Sequence, residues 1–233
     1  MIKGVLFDFN GVLLLDTKWH MEAWNDLSEF VRGTSMTEEE AHEQVHGRTP
    51  SDTLKYLLGK EPNDDEKSEL LDRKETLYQE VCLRHGKDFS LSPGAVELLA
   101  LLESNGISKT IATSSPLVNV KFYYEHLGLE KWFPFENVVY ADGTFPGKPA
   151  PDVFLKAAEK INILPEESMV IEDAGSGVAA AKAAGVKKII LLLTEDNMGT
   201  ENKVVVDNIV SNLSEITLRD FEDLVSIKKE SGN

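Results

Sequence analysis

Asp8 leaves a short apolar run in "VLFDFNGVLLLD" and is followed by Asn10 and then Gly11. A carboxylate in that place can act as a nucleophile. A second carboxylate two residues on would serve as a general acid, but an amide stands there instead. Far along the chain, "EDAGSG" at 172–177 adds Glu172 and Asp173, and "TSS" at 113–115 adds Ser114 and Ser115. "GKPAPD" carries Lys148 in a Gly/Pro-rich loop just before a helical pattern. Three crowded acids repel one another unless a cation sits among them. Oxygen ligands with room for water suit Mg²⁺, and no Cys/His cluster competes for the role. A carboxylate beside such a cation can attack phosphorus and form an aspartyl-phosphate. The metal and Lys148 would neutralise the equatorial oxygens in the transition state. Ser114, Ser115 and backbone N–H groups around Gly11 would add phosphate contacts.

Converging these segments requires a particular scaffold. Apolar runs at 5–7, 110–112, 169–171 and 189–193 are short and near-continuous, as parallel strands covered on both faces are. Helical patterns separate them. "SPGAVELLALLESNG" sets Val96, Leu99 and Leu102 at helical spacing, and "APDVFLKAAEKI" sets Phe154, Ala158 and Ile161 on one face. "GSGVAAAKAAG" is small-residue-rich and stops at Gly185. The alternation predicts a doubly wound α/β core with a parallel sheet, in which ligands bind beyond the carboxyl ends of the strands.

Residues 16–88 break that rhythm and read as helical throughout, an insert after the first strand; residues 1–15 and 89–233 then form the core. Thr37 and Glu40 make a capping box. "NDDEKSELLDRKETLYQEVCLRHG" keeps Leu70, Leu77 and Val81 on one face, with an acidic first turn and a basic end. A last strand is expected at "KVVV" (203–206), and a helix near 217–228.

The 233 residues, 42% apolar and 27% charged, are those of a globular protein with a sizeable core. A net charge of −16 argues against nucleic acid and anionic membrane surfaces as partners. The single cysteine, Cys82, excludes an internal disulfide framework and suits packing rather than reactivity. With no charged leader or membrane-length apolar run, a cytoplasmic protein is expected.

"DFNGV", "ATSS", "GKPAPDVF" and "VIEDAGSGVAAAKAAG" resemble, in order and spacing, the four signatures of the haloacid dehalogenase-like hydrolases. The nearer likeness is to the phosphatase and β-phosphoglucomutase-like branch with a helical cap. That resemblance implies Asp8 as nucleophile and metal ligand, and Asn10 lending its backbone carbonyl to Mg²⁺. It implies Glu172 and Asp173 as the other protein ligands, with Ser114 and Lys148 holding the transferring phosphoryl group. The insert would be the cap that closes over the site and selects the substrate. "DTKWHMEAW" resembles the first cap helix, with His20 at a histidine position, although Asp16 falls one residue late. "HGRTPSD" resembles the specificity loop, with Arg48 a clamp for an anion. The implied partner is a small phosphorylated metabolite, and the chain is expected to be a monomer, with a dimer left open.

The family usually has aspartate where Asn10 stands, to protonate the leaving oxygen and later activate water. Such help is worth about 10²–10⁴ in rate. Its loss falls hardest on alkyl phosphates and less on acyl or aryl phosphates. Three readings stay open at this point. Asn10 belongs to an enzyme for activated substrates or one that recruits another base such as His20; or to a binder of phosphorylated ligands; or it is a substitution that traps a complex. A mutase of the sugar-phosphate type is the nearest alternative to a phosphatase, and needs the acid/base that Asn10 lacks.

Overall fold

The computed structural model describes residues 1–45 and 48–222. In chain order the elements are β1 (Gly4–Phe7), α1 (Thr17–Arg32), α2 (Glu38–Gln44), α3 (Pro50–Leu58), α4 (Asp64–His85) and α5 (Ala95–Ser104). There follow β2 (Ser108–Pro116), α6 (Leu117–Leu127), β3 (Val139–Ala141), α7 (Asp152–Lys160), β4 (Ser168–Glu172), α8 (Gly175–Ala184), β5 (Lys188–Leu192) and β6 (Asn208–Val210). The chain forms two compact units, an α/β unit of residues 1–15, 91–117 and 128 onward, and a helical unit of 16–90 and 118–127. Residues 118–127, expected in the α/β core, thus belong to the helical unit.

In the α/β unit six parallel strands are ordered β3-β2-β1-β4-β5-β6. The order reverses direction at β1 and β4, which is where a doubly wound sheet opens its binding crevice. β1 and β4 are buried along their whole length. Their runs are continuously apolar because helices cover both faces, and no polar side is left to alternate. Leu6, Val170, Ala112 and Leu191 join Phe154, Ala157 and Ala158 of α7, and Val178 and Ala181 of α8, in one core. The small residues of α8 let its axis lie close to the strands. Val96 departs from the expected apolar face. It is exposed, while Ala95, Leu98, Leu99 and Leu102 face inward.

Two strand expectations shift. "KVVV" forms no strand: Val204 and Val206 lean on the core, but Val205 is 76% exposed. The pairing partner of β5 is instead Asn208–Val210, with Leu192 opposite Val210. β3 is a three-residue edge strand that the sequence pattern did not mark. The helix expected near 217–228 is a 3₁₀ turn at Leu218–Phe221, and its remainder lies outside the described residues.

In the helical unit, Trp24, Leu27, Leu54, Leu57 and Leu70 build a separate core. The Thr37–Glu40 capping box is formed in both directions, 3.1 Å to the Glu40 amide and 2.7 Å from the Thr37 amide. The buried face of α4 is Leu70, Lys74, Tyr78, Val81 and Cys82, with Leu77 only partly covered. Burial pushes the Cys82 thiol up to about 12, so it is a packing residue at neutral pH. Among the described residues no helix is long and apolar enough to cross a membrane.

Candidate active site in the α/β unit

Register brings the acids together. Phe7 lies opposite Ile171 in the parallel β1–β4 pair, and the Asp8 amide donates to the Ile171 carbonyl at 3.0 Å. Asp8 therefore leaves β1 level with Glu172 at the end of β4. Beyond Asp8 the chain turns sharply. The amides of Val12, Leu13 and Leu14 all donate to the Phe9 carbonyl, at 3.2, 2.8 and 3.0 Å. Ser92 fastens the far side of the turn, its hydroxyl donating to the Val12 carbonyl at 2.6 Å. The turn is possible because Gly11 takes a positive φ of 81°, a conformation that side chains other than glycine rarely adopt.

Asp8, Glu172 and Asp173 each offer an oxygen, all within 4.8 Å of one another. Two glycines make that crowding possible. A Cβ on Gly11 would lie 2.1 Å from an Asp173 carboxylate oxygen, and one on Gly177 would lie 1.8 Å from Glu172. Glu172 is fully buried, and its Oε2 accepts from the amides of Asp173 and Ala174 at 3.1 and 3.2 Å. Lys148 donates to Asp8 Oδ1 at 2.6 Å and to Glu172 Oε1 at 2.5 Å. Burial pushes the Asp8 carboxyl up to about 7, against the pull of Lys148 and with the Glu172 charge adding to the rise. Burial alone would lower the Lys148 ammonium, but the charges of Asp8 and Glu172 and its bonds to both raise it. Three hard carboxylate donors on two fixed strand ends fit a divalent cation.

The second turn of the site comes from β2. Thr113 and Ser115 are buried, and as alternate residues they share one face, whereas Ser114 is exposed on the other. Ser115 Oγ donates to Asn10 Oδ1 at 2.6 Å. Ser115, expected to meet substrate, thus holds the side chain of Asn10. Gly11 also departs from expectation, because its N–H donates to the Leu14 carbonyl at 2.7 Å instead of facing a phosphate. Thr113 and Asn197 carried no role in the sequence reading. Asn197 Nδ2 ties the Asp173 carbonyl to the Leu192 carbonyl, at 2.9 and 2.8 Å. Only an asparagine between two strand-end loops hints at this brace.

His20 and Arg48 belong to the helical unit. Arg48 is exposed and its Nε donates to the Glu43 carbonyl at 3.1 Å. His20 stacks on Tyr78 with centroids 4.0 Å apart. Its Nδ1 meets Lys74 Nζ at 2.9 Å, and its Nε2 faces the buried Asp16 carboxylate at 3.4 Å. An ammonium can only donate, so Nδ1 is the acceptor and the proton sits on Nε2. The lone pair of the ring is engaged by Lys74, which argues against His20 as a replacement base. Tyr78 donates to the same Asp16 carboxylate, and Tyr123 donates to Tyr78 at 3.0 Å.

The haloacid dehalogenase-like hydrolase profile matches residues 2–185. A crystal structure of a HAD hydrolase, family IA, variant 3, from Entamoeba histolytica superposes with a TM-score of 0.88 at 33% identity, covering 94% of this chain and 97% of that one. A phosphorylated carbohydrates phosphatase of Thermotoga maritima is 30% identical over 192 residues, 81% of this chain and 84% of that protein. A β-phosphoglucomutase of Bacillus subtilis is 28% identical over 222 residues, 93% of this chain and 92% of that protein.

Proposed function

Because this chain belongs to the haloacid dehalogenase-like hydrolases, we propose that it is a Mg²⁺-dependent phosphatase of small phosphorylated metabolites, working through a phosphoryl group carried on Asp8. The observation that carries this reading is the trio Asp8, Glu172 and Asp173, with oxygens within 4.8 Å, joined by Lys148 at 2.6 Å from Asp8. Asp8, Glu172, Asp173 and the backbone carbonyl of Asn10 would hold the cation. When bound, it supplies positive charge to a phosphoryl group and to the oxygens on which charge develops.

The chain's own groups then have distinct tasks. Asp8 attacks phosphorus as a carboxylate, and its seat at the end of a buried strand fixes the line of attack. Lys148 holds that carboxylate and offers charge to the phosphoryl oxygens, together with the Ser114 hydroxyl. Water then releases phosphate from Asp8. Arg48 and the helical unit, by this proposal a cap, govern which metabolite is accepted, and the protein works in the cytoplasm. The similarity to a phosphorylated carbohydrates phosphatase supports a sugar phosphate or similar small ester as substrate.

Acetyl phosphate and p-nitrophenyl phosphate test this directly. Phosphate release in Mg²⁺ that stops with a chelator is the expected result. Binding without release of phosphate from either would make the protein a binder instead. The likeness to a β-phosphoglucomutase adds one control, in which a hexose 1-phosphate should yield inorganic phosphate and sugar and no 6-phosphate.

A further inference from the structure

The loop that carries Asp173 is tied to the loop after β5 by one side chain. β4 and β5 are neighbours, with Glu172 opposite Leu191, so their chains leave the sheet side by side. Asn197 stands in the second loop. Its Nδ2 donates to the Asp173 carbonyl at 2.9 Å and to the Leu192 carbonyl at 2.8 Å. Its Oδ1 accepts from the Thr194 amide at 2.7 Å. These partners fix the orientation of the amide, because carbonyls only accept and the Thr194 N–H only donates. The bond to Thr194 alone would close the short turn at Glu195–Asn197. The two bonds from Nδ2 reach beyond that turn, and they need a short side chain with two donors on one nitrogen.

The Asp173 carbonyl and the Ala174 N–H belong to one planar peptide. Asn197 holds the first, and Glu172 Oε2 holds the second at 3.2 Å. The peptide on the other side of Asp173 is held as well, since the Asp173 N–H donates to Glu172 Oε2 at 3.1 Å. With both peptides fixed, the direction of the Asp173 Cα–Cβ bond is fixed, and two side-chain torsions set where the carboxylate points. Rotating the peptide after Asp173 would break the bonds to Asn197 and Glu172 together. We infer that Asn197 is a positioning residue for the cation site, aiming the Asp173 carboxylate at the ion and raising affinity for it. This deepens the phosphatase reading and rests on it for the identity of the ion. By reciprocity, the loop after β5 is steadier when the site is loaded.

Mn²⁺ shares the oxygen preference of Mg²⁺ and is visible by electron paramagnetic resonance, so it reads the idea without turnover. Asn197→Ala, with Asn197→Leu as a second variant that keeps the bulk, should bind Mn²⁺ about tenfold more weakly than the parent. Urea unfolding in a chelator checks that each variant is folded. The loss should shrink to about twofold when Asp173→Asn has already altered the ligand. A third measurement needs no variant. In the parent, hydrogen exchange at the Thr194 amide should slow about fivefold on adding Mg²⁺. Parent-like affinity in a folded Asn197 variant, or an equal loss in the Asp173→Asn background, would overturn the inference and leave the phosphatase reading standing. Exchange at Thr194 indifferent to Mg²⁺ would do the same. A parent that takes up no Mn²⁺ would overturn the metal dependence in that reading, and the inference with it.

Discussion

Gly11 and Asp173 are packed so that a Cβ on the first would lie 2.1 Å from an oxygen of the second. Residues 162 positions apart in the chain therefore share one contact surface, and the turn after β1 fits only while that surface is bare.

Gly11→Ala should accordingly displace Asp173 as well as strain the turn, since φ is +81°. The backbone penalty is about 1–2 kcal/mol. Calorimetry should show the rise in melting temperature on adding Mg²⁺ shrinking or vanishing in the variant. An undiminished rise would mean that Asp173 does not need the bare surface to hold the cation.

Lys148 is the one cation bonded to both Asp8 and Glu172 among the described residues. Lys148→Met keeps the bulk and removes the charge, leaving two buried acids facing each other. Breaking a buried pair in this way costs about 3–5 kcal/mol. Urea unfolding in a chelator should read a loss of that order, and Mg²⁺ should recover part of it. A variant as stable as the parent in chelator would show that the ion pair is not needed in the metal-free fold.

The capping box of α2 carries an acid-sensitive contribution. Hydrogen bonds from Tyr56, the Thr37 amide and Arg32 lower the Glu40 carboxyl to about 2. A folded value below the ordinary one stabilises the protein above about 4.5, and that gain fades as pH falls toward 2. Glu40→Gln should therefore be less stable than the parent at about pH 6, with the gap clearly narrower at about pH 3. A gap of equal size at both would remove ionised Glu40 from the helical unit's stability.

Much of this architecture is legible in the chain because it depends on local pattern. The four longest buried strands announce themselves as apolar runs, and the acids at their ends follow from where such strands stop. Capping at Thr37 and Glu40 is a three-residue relation and reads directly. What escapes depends on distant partners. Edge strand β3 has three residues and takes its identity from β2. "KVVV" has the composition of a strand, yet pairing with β5 fell to Asn208–Val210. Lys74 looks like a surface residue of α4 until His20 and Glu75 appear beside it, at 2.9 and 3.2 Å. Ser115 and Asn10 are both visible as polar residues, but the bond between them forms only when β1 and β2 lie side by side.

In the proposed reaction Asp8 accepts the phosphoryl group. Mixing the protein with acetyl phosphate and Mg²⁺, quenching in acid within the first turnover and mapping peptides by mass spectrometry tests it most directly. One added phosphoryl group is expected on the peptide containing Asp8, absent in Asp8→Asn and absent in chelator. Phosphate released at the parent rate by Asp8→Asn, or a label on any other residue, would contradict it.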